Sequence, residues 1–496
     1  MTAGSGRNLF VLSLDVGTSS VRAMGFDGRG RELPGLETKL DYTPRAGADG
    51  TAEVDADRVA GLVESALDQT LERAGKQAAP AALGISTFWH GLQGLDRERR
   101  PTTPIVLWSD TRSWRQAERL RRDLDGEAVR RRTGCPLHPS YWPAKLAWLR
   151  QAGGGAWGRT RHWVSIGDYL FLRWFGELTT SASMASGTGL RKLAGGLDEE
   201  LLQKLRLSPE RVPEEAEVLS GLKPDYRRRW PQLAEVPFLT ARGDGALANL
   251  GSGCTEPSVR ALTIGTSGAL RVMTDSRPRH LAKGLWCYLL DERRFVVGGA
   301  LSNGGNLWAW MESNLRLEQE GLEDRLARLE PASGPDFLTL LAGERSPGFA
   351  LHATGSLARL TQATTAYHIA RSGLEAVALQ FAQVDRALDR TVPGAKTLVA
   401  SGGALHASPL WSQIMADAVG KPVSVSESFE ASSHGAALLA LQHLGQKPAL
   451  DTRRGKLYEP DAKIHDVYRQ AARRQARLYK LLVESAPPAA AASAHA

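Results

Sequence analysis

Cysteine is scarce: a chain of 496 residues carries three, Cys135, Cys254 and Cys287. They lie far apart with no CxxC pair, which excludes a disulfide framework and a structural zinc site, and each reads as a small buried residue. Long apolar runs are missing too. No stretch approaches the ~20 residues of a membrane span, and Met1–Asn8 has neither the apolar core nor the cleavage site of a signal peptide. A cytoplasmic location with no membrane contact is expected. No Walker A sequence is present, so a nucleotide would have to be held without a P-loop. The net charge of +8 comes from arginines spread along the chain. The clusters Arg130–Arg132 and Arg227–Arg229 are short, sit beside acidic residues or a helix end, and lack interleaved aromatics, so no nucleic-acid partner is expected.

What is present is a repeated hairpin. Phe10-Val11-Leu12 leads into Asp15-Val16-Gly17-Thr18-Ser19-Ser20-Val21-Arg22, two strands joined by a tight turn at Gly17. Hydroxyls and backbone N–H groups at that turn, with the Asp15 carboxylate beside them, suit a phosphate and its divalent cation. Alone, such a turn is more often only a hairpin. Here Ile264-Gly265-Thr266-Ser267-Gly268-Ala269-Leu270-Arg271 repeats it with one extra residue. An echo half a chain away indicates two related domains rather than a solenoid, whose period is roughly 20–50 residues. The length agrees with two or more domains at about 100–200 residues each. Two facing Gly-Thr-Ser turns would grip a polyphosphate from both sides.

Between the hairpins, a strand over Glu32–Leu40 is followed by a helix with Val59, Leu62, Val63, Ala66 and Leu67 on one face. A buried strand, Ala82–Ser86, ends in Thr87-Phe88-Trp89-His90-Gly91, whose indole and imidazole suit sugar hydroxyls at the ligand side of an α/β sheet. Asp110 and Arg112 precede the helix Ser113–Leu124 and are read as its cap and brace. The G-x-G-x-x-G match at Gly153–Gly158 follows a helix rather than a strand and is read as a surface loop. Ser181–Gly189 is too polar for a core strand and is read as a loop near the cleft or an insertion. In Gly243-Asp244-Gly245, a carboxylate at a helix start is ordinarily a cap. Just before the second hairpin it could instead face the cleft and accept a proton from a hydroxyl attacking a γ-phosphate. Glycines at Gly304-Gly305 and Gly402-Gly403 open helices where a nucleotide could approach bare backbone. Residues from Pro487 onward are rich in Ala and Pro and are expected to be disordered.

Together, in this order, the hairpins, Asp244, Ser401-Gly402-Gly403-Ala404 and Ser432–Ala437 resemble the FGGY carbohydrate kinases, of the superfamily of actin, hexokinase and the chaperone ATPases. The resemblance runs from about Phe10 to Leu441. It implies an α/β fold of two related ribonuclease-H-like (actin-like ATPase) domains with an interdomain cleft. These are placed at 1–242, the sugar side, and 243–486, the nucleotide side, with a tail over 487–496. It further implies Asp244 as catalytic base. Asp15, Gly17, Thr18, Ser19, Arg22, Gly265, Thr266 and Ser267 would handle ATP phosphates, with Mg²⁺ at Asp15 and Asp244. Gly305, Gly402 and Gly403 would lie near the nucleotide, and Trp89, His90, Asp110 and Arg112, with Asp244, near the sugar.

Within the family, Arg132-Thr133-Gly134, His138-Pro139, Lys145–Trp148 and Asn303-Gly304-Gly305 resemble the gluconate kinases most. The implied reaction is ATP-dependent phosphorylation of D-gluconate at a primary hydroxyl. A pentulose such as xylulose is the alternative substrate, since Gly91 follows xylulose kinases. A non-catalytic sugar sensor or nucleotide switch is the alternative class. Three departures stand out. Trp89 replaces a common Met. After Glu344-Arg345-Ser346-Pro347, the usual Trp, Asp and Arg are Phe349, His352 and Thr354. Ala407 stands where some relatives have an Asn near the nucleotide. Oligomeric state is not legible; a homodimer is one option.

Overall fold

The computed structural model describes residues 9–75, 79–152, 155–426, 430–448, 450 and 454–485. The tail and Gly153-Gly154 of the glycine-rich run lie outside these. The first hairpin forms as its apolar alternation predicts, β1 (Phe10–Val16) against β2 (Ser20–Asp27), with Asp15 opposite Arg22 and Val16 opposite Val21. β3 (Glu32–Asp41) extends it antiparallel, and its exposed outer residues suit an edge. Helix α1 (Ala56–Ala74), capped by Asp55, buries Val59, Val63, Ala66 and Leu67, the face its spacing predicts. Strands β4 (Leu83–Thr87), β5 (Val218–Leu219), β6 (Phe238–Leu239) and β7 (Arg242–Gly243) complete a seven-stranded sheet ordered β5-β6-β4-β1-β2-β3, with β7 also on β4.

The second sheet repeats this plan. β8 (Val259–Ile264) and β9 (Gly268–Thr274) are the second hairpin, flanked by β10 (Trp286–Leu289), β11 (Phe295–Leu301), β12 (Thr397–Ser401), β13 (Val423–Ser426) and β14 (Arg454–Tyr458). Its order is β10-β11-β9-β8-β12-β13-β14. Antiparallel strands, three in the first half and four in the second, are followed by parallel ones beside the hairpin's first strand, β4 and β6 in one, β12 and β13 in the other. This is the paired arrangement the repeat implied.

Two helices tie the halves together. Asp244–Gly251 crosses Ala431–His443 so closely that a Cβ on Gly251 would stand 1.9 Å from the Ala431 carbonyl oxygen, and one on Gly435 2.0 Å from that of Leu247. Small residues at the crossing are therefore required. Both helices bury their apolar residues with the first sheet: Ala246, Leu247, Leu250 and Ala436–Leu441 share a core with Leu12, Leu14 and Ile85. A break at 242/243 therefore does not divide the cores, because apolar surface on the later helices is covered by the earlier sheet. Ser181–Gly189, expected as a loop, is in fact a buried helix, Ala182–Thr188, capped by the Ser181 side chain. Its polar, small residues read as loop, but the Ser183 and Ser186 hydroxyls accept from the Gly243 and Leu289 N–H groups and Gly187 lies against Trp89. All three cysteines are buried and free.

Candidate active site

A cavity of about 240 Å³ lies between the two hairpins, lined by Thr18, Trp89, His90 and Trp108 from the first half and by Ser267, Arg271, Trp286, Tyr288 and Arg345 from the second, with Asp244 among them. Asp15, the last residue but one of β1, acts on Asp244 from outside the lining. Its Oδ2 is 3.8 Å from Arg22, while Oδ1 is buried with no hydrogen-bond partner. Burial raises the Asp15 pKa, against the opposing Ser86 hydroxyl and Arg22 charge. Asp244 opens its helix and accepts from the Gly245 N–H at 2.7 Å. Its pKa is raised to about 6, first by burial and then by repulsion from Asp15, with Arg271 and Arg345 opposing. Two carboxylates that repel one another and leave a buried oxygen unpaired form a donor set that fits a divalent cation completed by phosphate oxygens.

The turns differ in what they hold. In the first, the Gly17 N–H donates to Ser20 C=O and the Tyr42 hydroxyl to Gly17 C=O. Arg22 is engaged with Glu430 at 3.2 Å as well as with Asp15. In the second, the tip at Gly265 is open, with nothing within 4 Å of an added Cβ. Its carbonyls are occupied: the N–H groups of Gly305 and Asn306, opening the helix Gly305–Asn314, donate to Gly265 and Thr266. Gly304 and Gly305 are thus small because the turn presses on them, a Cβ on Gly305 falling 2.7 Å from the Gly265 carbonyl oxygen. Packing on the turn is thus a reason for these glycines besides the expected approach of a nucleotide to bare backbone. Gly402, at φ 97°, is likewise packed on Ile264, whereas Gly403 faces open space. Gly305 also borders a second cavity of about 300 Å³, walled by Trp308, Leu322, Leu326, Ala404, Ala407 and Ser408.

Across the cavity, Trp89 is wedged among glycines. A Cβ on Gly243 would meet its ring at 1.8 Å, on Gly187 at 2.5 Å and on Gly245 at 2.8 Å, and its Nε1 donates to Ser183 C=O. The two glycines around Asp244 are there to admit this indole. His90 adopts φ 69°, an uncommon conformation for a residue with a side chain. Its Nδ1 lies 2.6 Å from Gly187 C=O and burial drives its pKa well down. Because a carbonyl only accepts, Nδ1 carries the proton, and the neutral ring offers Nε2 as an acceptor for a hydroxyl. Lys145, wholly buried and with its pKa lowered by burial to about 7, donates to His90 C=O at 2.7 Å.

Asp110 and Arg112 are not among the residues lining the cavity. Asp110 accepts from Ala52 N–H and from Arg112, and Arg112 also pairs with Glu53 and lies 4.6 Å over the Trp148 ring. Their side chains form a brace, as their local chemistry indicated, outside the lining of this cavity. The residues missed by sequence reading stand in their place. Trp286 stacks on Tyr288 at 4.2 Å, Tyr288 shares a hydroxyl contact with Tyr141, and Arg345 lies 4.9 Å over Trp108. Trp286 and Tyr288 sit two apart on β10, a spacing that places both rings on one face and was readable in principle.

The N-terminal domain of the FGGY family of carbohydrate kinases matches residues 10–251, and its C-terminal domain matches residues 261–443. The chain belongs to this family. It is 30% identical over 467 residues to a gluconokinase of Bacillus subtilis (strain 168), with 89% of each chain covered. A glycerol kinase of Trichlorobacter lovleyi is 31% identical over 447 residues, covering 87% of this chain and 89% of that one. The fold superposes on a gluconate kinase from Lactobacillus acidophilus with a TM-score of 0.89, over 96% of this chain and 99% of that one, at 24% identity. The molecule is a sugar kinase with the two-domain actin-like ATPase fold, and a kinase of this family takes ATP as phosphoryl donor. Among the described residues no helix is long and apolar enough to cross a membrane, and no group of three or more His, Cys, Asp and Glu is placed to hold a metal ion.

Proposed function

We propose that this kinase transfers the γ-phosphoryl group of ATP to a primary hydroxyl of D-gluconate, with Asp244 as base. The observation that carries the reading is the pair Asp15 and Asp244, two buried carboxylates that repel one another, with Asp244 lining the cavity between the hairpin turns. As the substrate oxygen bonds to phosphorus and the bond from phosphorus to the ADP oxygen breaks, the hydroxyl proton passes to Asp244. A pKa of about 6 makes this carboxylate a better acceptor than an ordinary aspartate near 3.8, though still a weak base for an alcohol, so transfer comes late. The hydroxyls of Thr18, Ser19, Thr266 and Ser267 at the two turns supply donors to the phosphates, and Gly403 with the second cavity receives the nucleoside. Mg²⁺ fits Asp15 Oδ1 and Asp244, where it would neutralise charge on the phosphates. Trp89 and the Trp286–Tyr288 stack supply apolar faces for the sugar's C–H groups, and neutral His90 accepts from a hydroxyl.

Gluconate is favoured over a neutral sugar because Arg271 and Arg345 both line the cavity, which suits a carboxylate. The gluconokinase relative supports the same choice. A coupled assay of ADP release with D-gluconate, D-xylulose, D-ribulose and glycerol tests it. The expected result is the highest kcat/KM with D-gluconate; a higher value with a pentulose overturns the substrate, and ATP hydrolysis independent of any sugar overturns the reaction.

A further inference from the structure

Arg345 reaches the cavity on a strap, residues 344–352, that starts from the second half and ends on the first. Its root is fixed. Ser346 N–H donates to Ala300 C=O on β11 and Ala300 N–H returns to the Ser346 hydroxyl. The buried Glu344 carboxylate accepts from Ala350 N–H and from the Tyr479 hydroxyl. Its far end lies on the helix Trp114–Asp123 of the first half. There Arg121 Nη1 donates to Phe349 C=O at 3.1 Å, His352 Nε2 meets Glu118 Oε1 at 2.8 Å, and the His352 ring packs edge-on against Trp114 at 4.6 Å. The Phe349 ring, at 5.7 Å, covers buried His138. Arg121 is anchored from behind by a bond to Leu137 C=O. Arg345 lies within the root, between Glu344 and Ser346; its C=O accepts from the Phe349 N–H at 2.6 Å, which ties it to the far end, and its guanidinium rests on the face of Trp108, another first-half residue.

We infer that Glu118, Arg121 and His352 are positioning residues for the sugar site: they latch the strap to the first half and so hold Arg345 over the cavity. Phe349 and His352, where the chain departs from the family's usual Trp and Asp, are the strap's own side of that latch. The latch bonds cross from one half to the other, so they couple closure of the cleft to delivery of a cation. This rests on the reading that the cavity receives the sugar, and the test separates the two. KM for the best acceptor, KM for ATP, and kcat are measured for Arg345→Met, for the latch variant Glu118→Gln/Arg121→Gln, and for all three changes together. Loss of a charge-assisted bond and a partly exposed ion pair predicts a rise of about 10-fold in sugar KM for the latch variant, with ATP KM and kcat within about twofold. In the Arg345→Met background the latch changes add nothing further, because the interaction runs through Arg345. A His352→Gln variant, which leaves Arg121 in place, gives a smaller rise in the same direction. Unchanged sugar KM in Arg345→Met overturns the sugar-site reading and the latch with it. A rise in Arg345→Met with none in the latch variant, or an equal further rise in the triple variant, overturns the latch alone.

Discussion

The two hairpins share a sequence, a turn and a place in their sheets, yet they differ at one position that matters. Where the first has Asp15 before Val16-Gly17-Thr18, the second has Thr263 before Ile264-Gly265-Thr266. Each is met by the arginine that follows its own turn: Arg22 stands 3.8 Å from Asp15, and Arg271 donates to the Thr263 hydroxyl at 2.9 Å. In the first hairpin that arginine is diverted to Glu430, leaving a carboxylate oxygen unpaired. In the second it is tied to Asn249 and Thr263 and keeps its charge toward the cavity without a carboxylate of its own hairpin. One jaw therefore presents a free carboxylate oxygen and the other a guanidinium. The repeat supplies the geometry; the Asp-to-Thr difference supplies the polarity.

Breaking the acidic jaw has the larger consequence. Asp15→Asn removes the unpaired carboxylate and is expected to lower kcat by roughly 10²–10³-fold, read in the coupled assay. Making the jaws alike is the complementary change. Thr263→Asp places a second carboxylate beside the phosphates and neutralises Arg271, raising ATP KM by roughly 10–50-fold.

Asp244 lies between the jaws and reports on both. Its folded pKa of about 6 lies above the ordinary 3.8, so the ligand-free protein holds that proton more tightly folded than unfolded. The resulting stability is complete below about pH 3.8 and is lost as pH rises through about 6. Asp244→Asn removes the penalty and is expected to stabilise the ligand-free protein by about 1–3 kcal/mol at pH 7.5, with the gain vanishing toward pH 4, as followed by thermal melts. The same ionisation makes kcat/KM of the wild type rise through about pH 6.

The smallest effect probes the indole beneath Asp244. Gly243→Ala drives a methyl into Trp89 and is expected to cost about 1–3 kcal/mol in urea unfolding. Trp89→Met in the same chain relieves it, since a flexible side chain can yield.

The hairpins and Asp244 were legible because they are local: a turn's chemistry is written in four or five consecutive residues, and its repetition confirms it. The glycines were legible as glycines but not for their cause, because Gly243 answers to Trp89, Gly304 to Ser267 and Gly402 to Ile264, none adjacent in sequence. Trp89 was legible and the Trp286–Tyr288 pair readable from its spacing, but their meeting with Arg345 in one wall was not, since they share a cavity only once both sheets and the strap are in place. Asp110 and Arg112 show the opposite case. Their neighbours indicated a brace, the resemblance indicated a sugar contact, and the structure occupies both with Glu53, Ala52 and Trp148.

The central claim, that Asp244 at the meeting of unlike jaws accepts the substrate proton, is tested most directly by Asp244→Asn in two measurements on one preparation: sugar-dependent ADP release and ATP binding by calorimetry. The account predicts turnover lower by roughly 10²–10⁴-fold with ATP affinity within about threefold of wild type. Wild-type turnover in this variant would contradict it.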